Sequence, residues 1–377
     1  MSKNLTTLSA SALGKFLNLR NEPVVGKITP PKDFATEKAV LDNLILGNSW
    51  TGSSGVRGYD FKLDNKLHIA LTMKCADDHF FSLSQDTQDG IKFENIPGSI
   101  YLFLAHQLQL MPTGGFTPDW VEEYIAGPAS SEEGLKLDVI IQSLEDISVF
   151  SVDDAFLAMG NITPQYIANY ISTYDPELNI GRLGDKALQS IREIFLREKK
   201  HLTQENFFNA LTATKPQHAF LEIYRVLEFI FFLPRVRGLL LSLQGQGLSA
   251  QMDIMALASL CHRELGWKRI ERDSIDRLFK DYSAANYNEF IDLHASCSPF
   301  TSLVIAESTD PLEKRVESVQ KMGEKFYQLR NQIAHQFFPD DILACSPADW
   351  TVLIEFTLNC IKYFYERDFE IAAAGDI

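Results

Sequence analysis

The sequence predicts an α+β chain that is mostly α: a small N-terminal α/β region, a helical segment, and a C-terminal antiparallel helical bundle. One ground is that short β-like runs are confined to about the first 130 residues. A second is the switch to helical spacing from about Pro118 onward. The third is composition: 377 residues that are 45% hydrophobic and 11% aromatic can bury a substantial core. The expected parts are a mixed α/β domain over 1–130, a helical accessory region over 131–212, and the bundle over 213–377.

Residues 35–46 predict a helix, and 67–74, 80–84 and 91–94 predict strands separated by Asp- and Gly-containing turns. Residues 48–55, Asn-Ser-Trp-Thr-Gly-Ser-Ser-Gly, read as a loop of small residues carrying one Trp. They are not a phosphate-binding loop, because no Gly-Lys-Ser/Thr follows and no helix opens there. Thr117-Pro118 and Thr163-Pro164 mark helix entries, predicting helices over 118–125 and 164–173. Helices over 132–144, 152–159 and 185–198 complete the middle region, with Gly160, Gly181 and Gly184 as breaks. Arg197, Lys199, Lys200 and His201 suit a helix C-terminus better than an RNA contact.

The bundle is predicted from helices over 218–233, 250–265, 272–282, 312–335 and 348–367, with Pro234 disturbing the end of the first. Residues 286–310 show weak periodicity and are expected to contain a loop or short insertion. The apolar stretch 220–241 is interrupted by Glu222, Arg225, Glu228, Pro234, Arg235 and Arg237, which excludes a membrane span and predicts a buried helix.

The net charge is −15, unevenly spread: residues 1–180 hold 12 basic and 23 acidic side chains, whereas 181–330 hold 21 and 19. An acidic first half discourages indiscriminate phosphate binding, and the second half leaves room for a local basic patch. The five cysteines, Cys75, Cys261, Cys297, Cys345 and Cys360, include no C-x-x-C pair, so free thiols in a reducing cytoplasm are expected. Cys261-His262 and the His294–Cys297 neighbours lack further ligands for zinc. No secretory leader is expected from the first residues, which contain no continuous apolar run.

One run carries chemistry: Arg330-Asn331-Gln332-Ile333-Ala334-His335, near the end of a long amphipathic helix that Pro339 stops. Leu312, Val316, Val319, Met322, Phe326, Leu329, Ile333 and Phe337 recur every three or four residues as its apolar stripe. Arg330 sits at the stripe's edge, its stem on apolar neighbours and its guanidinium expected to reach outward. Asn331 and His335 share a face, with Tyr327 one turn earlier, so Asn331 can orient the His335 ring. A permanent cation can steady charge on a phosphate, and an imidazole can move a proton near neutral pH.

On these residues the chain resembles the HEPN superfamily (higher eukaryotes and prokaryotes nucleotide-binding domains). Its hallmark is Arg, often with a polar residue after it, then four to six residues to His on a late helix of a small bundle. Arg330, Asn331 and His335 match those positions, and residues 220–228 look like the opening core helix. The resemblance covers roughly residues 216–370. It implies a metal-independent endoribonuclease acting as a homodimer on RNA, with Arg330, His335 and Asn331 at the composite site and no cofactor. A role as a bacterial toxin or antiphage effector is likewise implied, with the N-terminal region as a sensor or as the seat of an inhibitory partner. Some members have lost activity and only dimerise or bind nucleotide.

A plainer account stands beside it: His335 interacting with the helix C-terminus and Arg330 pairing with a carboxylate. Glu222, Arg225 and Glu228, three apart, fit a charge ladder along one helix. Alternatively Glu228 or Glu222 orients Arg330 or His335 across the bundle, with Tyr224 contributing. The paired acids 77–78, 122–123, 132–133 and 153–154 fit turns and helix starts.

Overall fold

The computed structural model describes residues 28–29, 39–51, 55–73, 83, 86–87, 90–111, 113, 135–136, 142, 144–157, 163–175, 178–197, 204–245, 271–334 and 345–368. The predicted elements at 80–84, 118–125 and 250–265 lie wholly or almost wholly outside them. The chain is α+β and mostly helical. It divides into two compact units, Met1–Asp175 and Pro176–Ile377.

The first unit holds a five-stranded antiparallel sheet ordered β2-β3-β4-β7-β5, from β2 (Ile45–Thr51), β3 (Arg57–Leu63), β4 (Lys66–Leu71), β5 (Ile91–Phe93) and β7 (Ser148–Val152). A separate parallel pair joins β1 (Ile28–Thr29) to β6 (Leu135–Lys136). Asp64 and Asn65, at φ 51° and 64°, make the two-residue turn between β3 and β4, the left-handed geometry that a tight hairpin demands. Helix α1 (Gly98–Gln107) buries Ile100 to Ala105 in one core with Tyr59, Phe61, Ala70 and Val149. Two short helices follow, α2 (Asp154–Leu157) and α3 (Pro164–Ser172), the latter packed against β3 and β4. Thr163 caps α3, its hydroxyl accepting from the Tyr166 N–H at 3.2 Å.

Four sequence expectations change here. Residues 39–42 are helical, but Ile45 and Leu46 belong to β2 rather than to a helix over 35–46. Asn48 to Thr51 are strand, not loop: the register breaks between Leu46 and Ser49, and Trp50 pairs with Gly58. A Cβ on Gly58 would stand 2.1 Å from the Trp50 ring, so glycine makes room for the indole. The expected helix over 132–144 contains β6 at its described start, and the one over 152–159 begins only after Val152 has closed β7. Both α1 and β7 escaped prediction because they are buried all round, which leaves no periodic stripe to detect.

The second unit is helical: α4 (Asp185–Arg197), α5 (Gln204–Thr212), α6 (Pro216–Phe229), α7 (Leu233–Gly245), α8 (Glu271–Ser296), α9 (Leu312–Ala334) and α10 (Pro347–Asp368). Its centre is aromatic. Phe326 of α9 has its ring 5.5 Å from Phe220, 5.9 Å from Tyr224, 5.2 Å from Phe279 and 6.1 Å from Phe356, so α6, α8, α9 and α10 meet at one residue. Edge-on and offset contacts of this kind add about 0.5–1.5 kcal/mol each beyond the area they bury.

The predicted apolar stripe of α9 is buried from Val319 through Ile333, whereas Leu312 is exposed and Phe337 lies outside the described residues. Pro234 does not disturb a helix over 218–233. It falls in the first turn of α7, after α6 has ended at Phe229, where a missing N–H costs nothing. Residues 286–296 continue α8, which bends at Asn286 (φ −125°, ψ 37°) and so resets the phase of its buried face, and the expected loop falls at residues 301–311. Among the described residues, no helix is long and apolar enough to cross a membrane.

Helix α10 opens on a reciprocal cap. Asp349 accepts from the Ser346 N–H at 2.7 Å, Ser346 Oγ accepts from the Asp349 N–H at 3.1 Å, and Pro347 sits between them at the first helical position. Asp349 also accepts from the Ser298 N–H at 2.7 Å, tying the turn after α8 to the start of α10. Burial raises its pKa, but hydrogen bonds from Ser298 and Ser346 outweigh burial and hold it below the ordinary carboxylate value. A depressed folded-state pKa stabilises above the unfolded value and is lost as pH falls through the folded one. Asp349→Ala should therefore cost about 1–3 kcal/mol at neutral pH, measured by urea unfolding, and progressively less in acid. A difference that does not shrink on acidification would contradict the assignment.

Candidate functional site

Arg330 lies in the last turns of α9, one turn beyond Phe326. Its stem leaves the aromatic centre, and its guanidinium meets two carboxylates. Arg330 Nη2 donates to Glu228 Oε1 of α6 at 2.7 Å, and Nε lies 3.4 Å from Glu271 Oε1 in the first turn of α8. Nη1 donates to Asn331 Oδ1 at 3.0 Å. The Arg330 Cζ stands 5.4 Å from the centre of the Tyr224 ring, a cation–π contact, and the Tyr224 hydroxyl donates to Glu271 Oε1 at 2.8 Å. Three helices thus converge on one cation.

This corrects the expectation that the guanidinium reaches outward: its side chain is 22% exposed and is held by Glu228, Glu271 and Tyr224. A guanidinium leaving the core needs negative charge, and α6 and α8 supply it within reach. Asn331 turns its carbonyl oxygen to Arg330. His335 lies outside the described residues, immediately after the last described residue of α9. Tyr327 is half-buried on α9.

Glu228 is no part of a ladder with Arg225. Glu222 pairs with Arg225 and accepts from Asn206 Nδ2 at 2.8 Å, whereas Glu228 faces α9. Of the two helix-α6 acids considered for bracing Arg330, the one in place is Glu228. Glu271 was not anticipated. An acid in the first turn of a helix is common because the helix dipole favours it, so nothing local marked this one.

The electrostatics follow from burial. Glu228 has its pKa raised, first by burial, with Arg330 opposing and Glu271 adding to the rise. Burial lowers the pKa of Arg330, but Glu228, Glu271 and Tyr224 more than restore it, so the guanidinium stays charged. Burial and then Glu271 push the Tyr224 hydroxyl well above its usual range, so it remains a donor. With both carboxylates ionised the cluster carries one negative charge. Arg272 and Glu324 form a further ion pair between α8 and α9.

Of the cysteine and histidine neighbours, His294 and Cys297 have other partners. His294 Nε2 is 2.8 Å from the Leu303 carbonyl oxygen, and the Cys297 thiol points to the Asp349 carbonyl oxygen at 3.9 Å. Cys297, Cys345 and Cys360 are free thiols; Cys75, Cys261 and His262 lie outside the described residues.

Compared with models of known protein families, with curated proteins and with solved structures, the chain matches none.

Replacing Arg330 by Ala leaves Glu228 and Glu271 facing each other without a cation. Thermal or denaturant unfolding should show a loss of about 1–3 kcal/mol, discounted for partial exposure. Arg330→Lys should recover only part of it, since one ammonium cannot serve both carboxylates and Asn331 from a planar fork. Full stability in the Ala variant would show that the pairing is idle.

Proposed function

We propose that the C-terminal unit is a metal-independent endoribonuclease of the HEPN type, acting on RNA as a homodimer. The observation that carries this reading is the bracing of Arg330: a cation fixed by Glu228, Glu271 and Tyr224 beside Asn331, five residues before His335 in the sequence. RNA supplies its own nucleophile. His335 takes the proton of the 2′-hydroxyl, whose oxygen attacks phosphorus while the bond to the 5′-oxygen breaks. The same residue of a second copy gives a proton to that leaving oxygen. Arg330 steadies the charge that gathers on the phosphate. The products are a 2′,3′-cyclic phosphate and a 5′-hydroxyl. A place among toxins or antiphage effectors, in the cytoplasm, follows from the resemblance.

One observation favours a second reading, a non-catalytic module that dimerises or binds a partner: two carboxylates already balance Arg330. Labelled RNA incubated with the pure chain in EDTA separates the two. Cutting that yields cyclic-phosphate ends, is lost in His335→Ala and falls by about 100-fold or more in Arg330→Ala is the expected result. An inert chain whose variants alter only its sedimentation as a dimer would establish the module instead.

A further inference from the structure

Glu271 is engaged from two directions. One oxygen, Oε1, accepts from the Tyr224 hydroxyl at 2.8 Å and faces Arg330 Nε at 3.4 Å. Tyr224 is 1% exposed, and its ring also lies under the guanidinium. Ring, hydroxyl, carboxylate and guanidinium therefore form a closed brace. Arg330 has five N–H groups. Among the described residues, hydrogen bonds to Glu228 and Asn331 use two, the Nε–H faces Glu271 in an ion pair, and two are left for a ligand. Because the group is planar, holding its Nε edge sets the direction of every other donor.

Building on the RNA-cleavage reading above, we propose that Glu271 is a positioning residue. It holds the plane of Arg330 so that the two unused N–H groups meet a phosphate oxygen of RNA. Glu271 itself does not touch the substrate. Its negative charge opposes a phosphate, so positioning and simple competition predict opposite signs. A carboxylate that positions the cation raises turnover, and one that merely occupies it lowers turnover.

The test uses the full chain, labelled RNA and EDTA. Glu271→Ala should lower kcat by about 10–100-fold while KM moves by less than about 3-fold, as expected for a misdirected catalytic group. Glu271→Gln keeps an oxygen for Tyr224 and Arg330 and should recover most of the loss. Tyr224→Phe, which keeps the ring and removes the hydroxyl, should fall between them and carries the test if Glu271→Ala does not fold. Higher kcat in Glu271→Ala overturns the proposal in favour of competition; unchanged kcat reduces Glu271 to a support of the fold. Full rate in Glu271→Ala beside an inactive His335→Ala defeats this proposal alone. Undiminished cutting by His335→Ala, or no cutting by the unaltered chain, defeats the RNA-cleavage reading and this proposal with it.

Discussion

A guanidinium drawn into a protein must be answered by negative charge, because the hydration it gives up is worth several kcal/mol. In the helical unit that demand falls at Arg330. Glu228 comes from α6 and Glu271 from the first turn of α8, so the ion pairs form only when three helices are in register. Beneath them the aromatic centre around Phe326 sets how closely those helices approach. The apolar contacts supply most of the binding between helices. The charged cluster at their edge penalises any slip that would leave a carboxylate or the guanidinium alone.

The same cluster shapes what the proposed site can attract. With two carboxylates around one cation, it draws no phosphate from a distance, in keeping with a chain of net charge −15. Any phosphate that binds must do so through directed N–H donors at short range. Such a site favours geometry over bulk charge. The raised pKa of Glu228 comes first from its burial, with Arg330 opposing the rise and the nearby Glu271 adding to it.

Several elements with one apolar stripe and one wet face were legible in the sequence, though α5 was not. Helices α3, α4, α9 and α10 begin and end within a residue or two of their predicted spans, marked by Thr163-Pro164, Gly184 and the 3.6-residue repeat. Elements without that contrast were not. Helix α1 is apolar on every side, β7 is buried on both faces, and β2 has small polar residues at its register break. Helix α8 was cut short because the bend at Asn286 shifts its repeat. At the site, the spacing of Arg330 and Asn331 was visible, as were Tyr224 and Glu228 as possible partners. Glu271 was invisible, since its partners are far away in the chain.

By itself the sequence determined the α+β class, the amphipathic face of α9 and the closeness in sequence of a cation, an amide and a histidine. These depend on periodicity and on chemistry within a few residues, which linear order preserves. Only the tertiary structure decided that Arg330 turns inward to Glu228 and Glu271, over Tyr224, rather than outward to water. That choice depends on which charges distant helices bring within about 3 Å, a quantity set by the packing of the aromatic centre and absent from any local pattern.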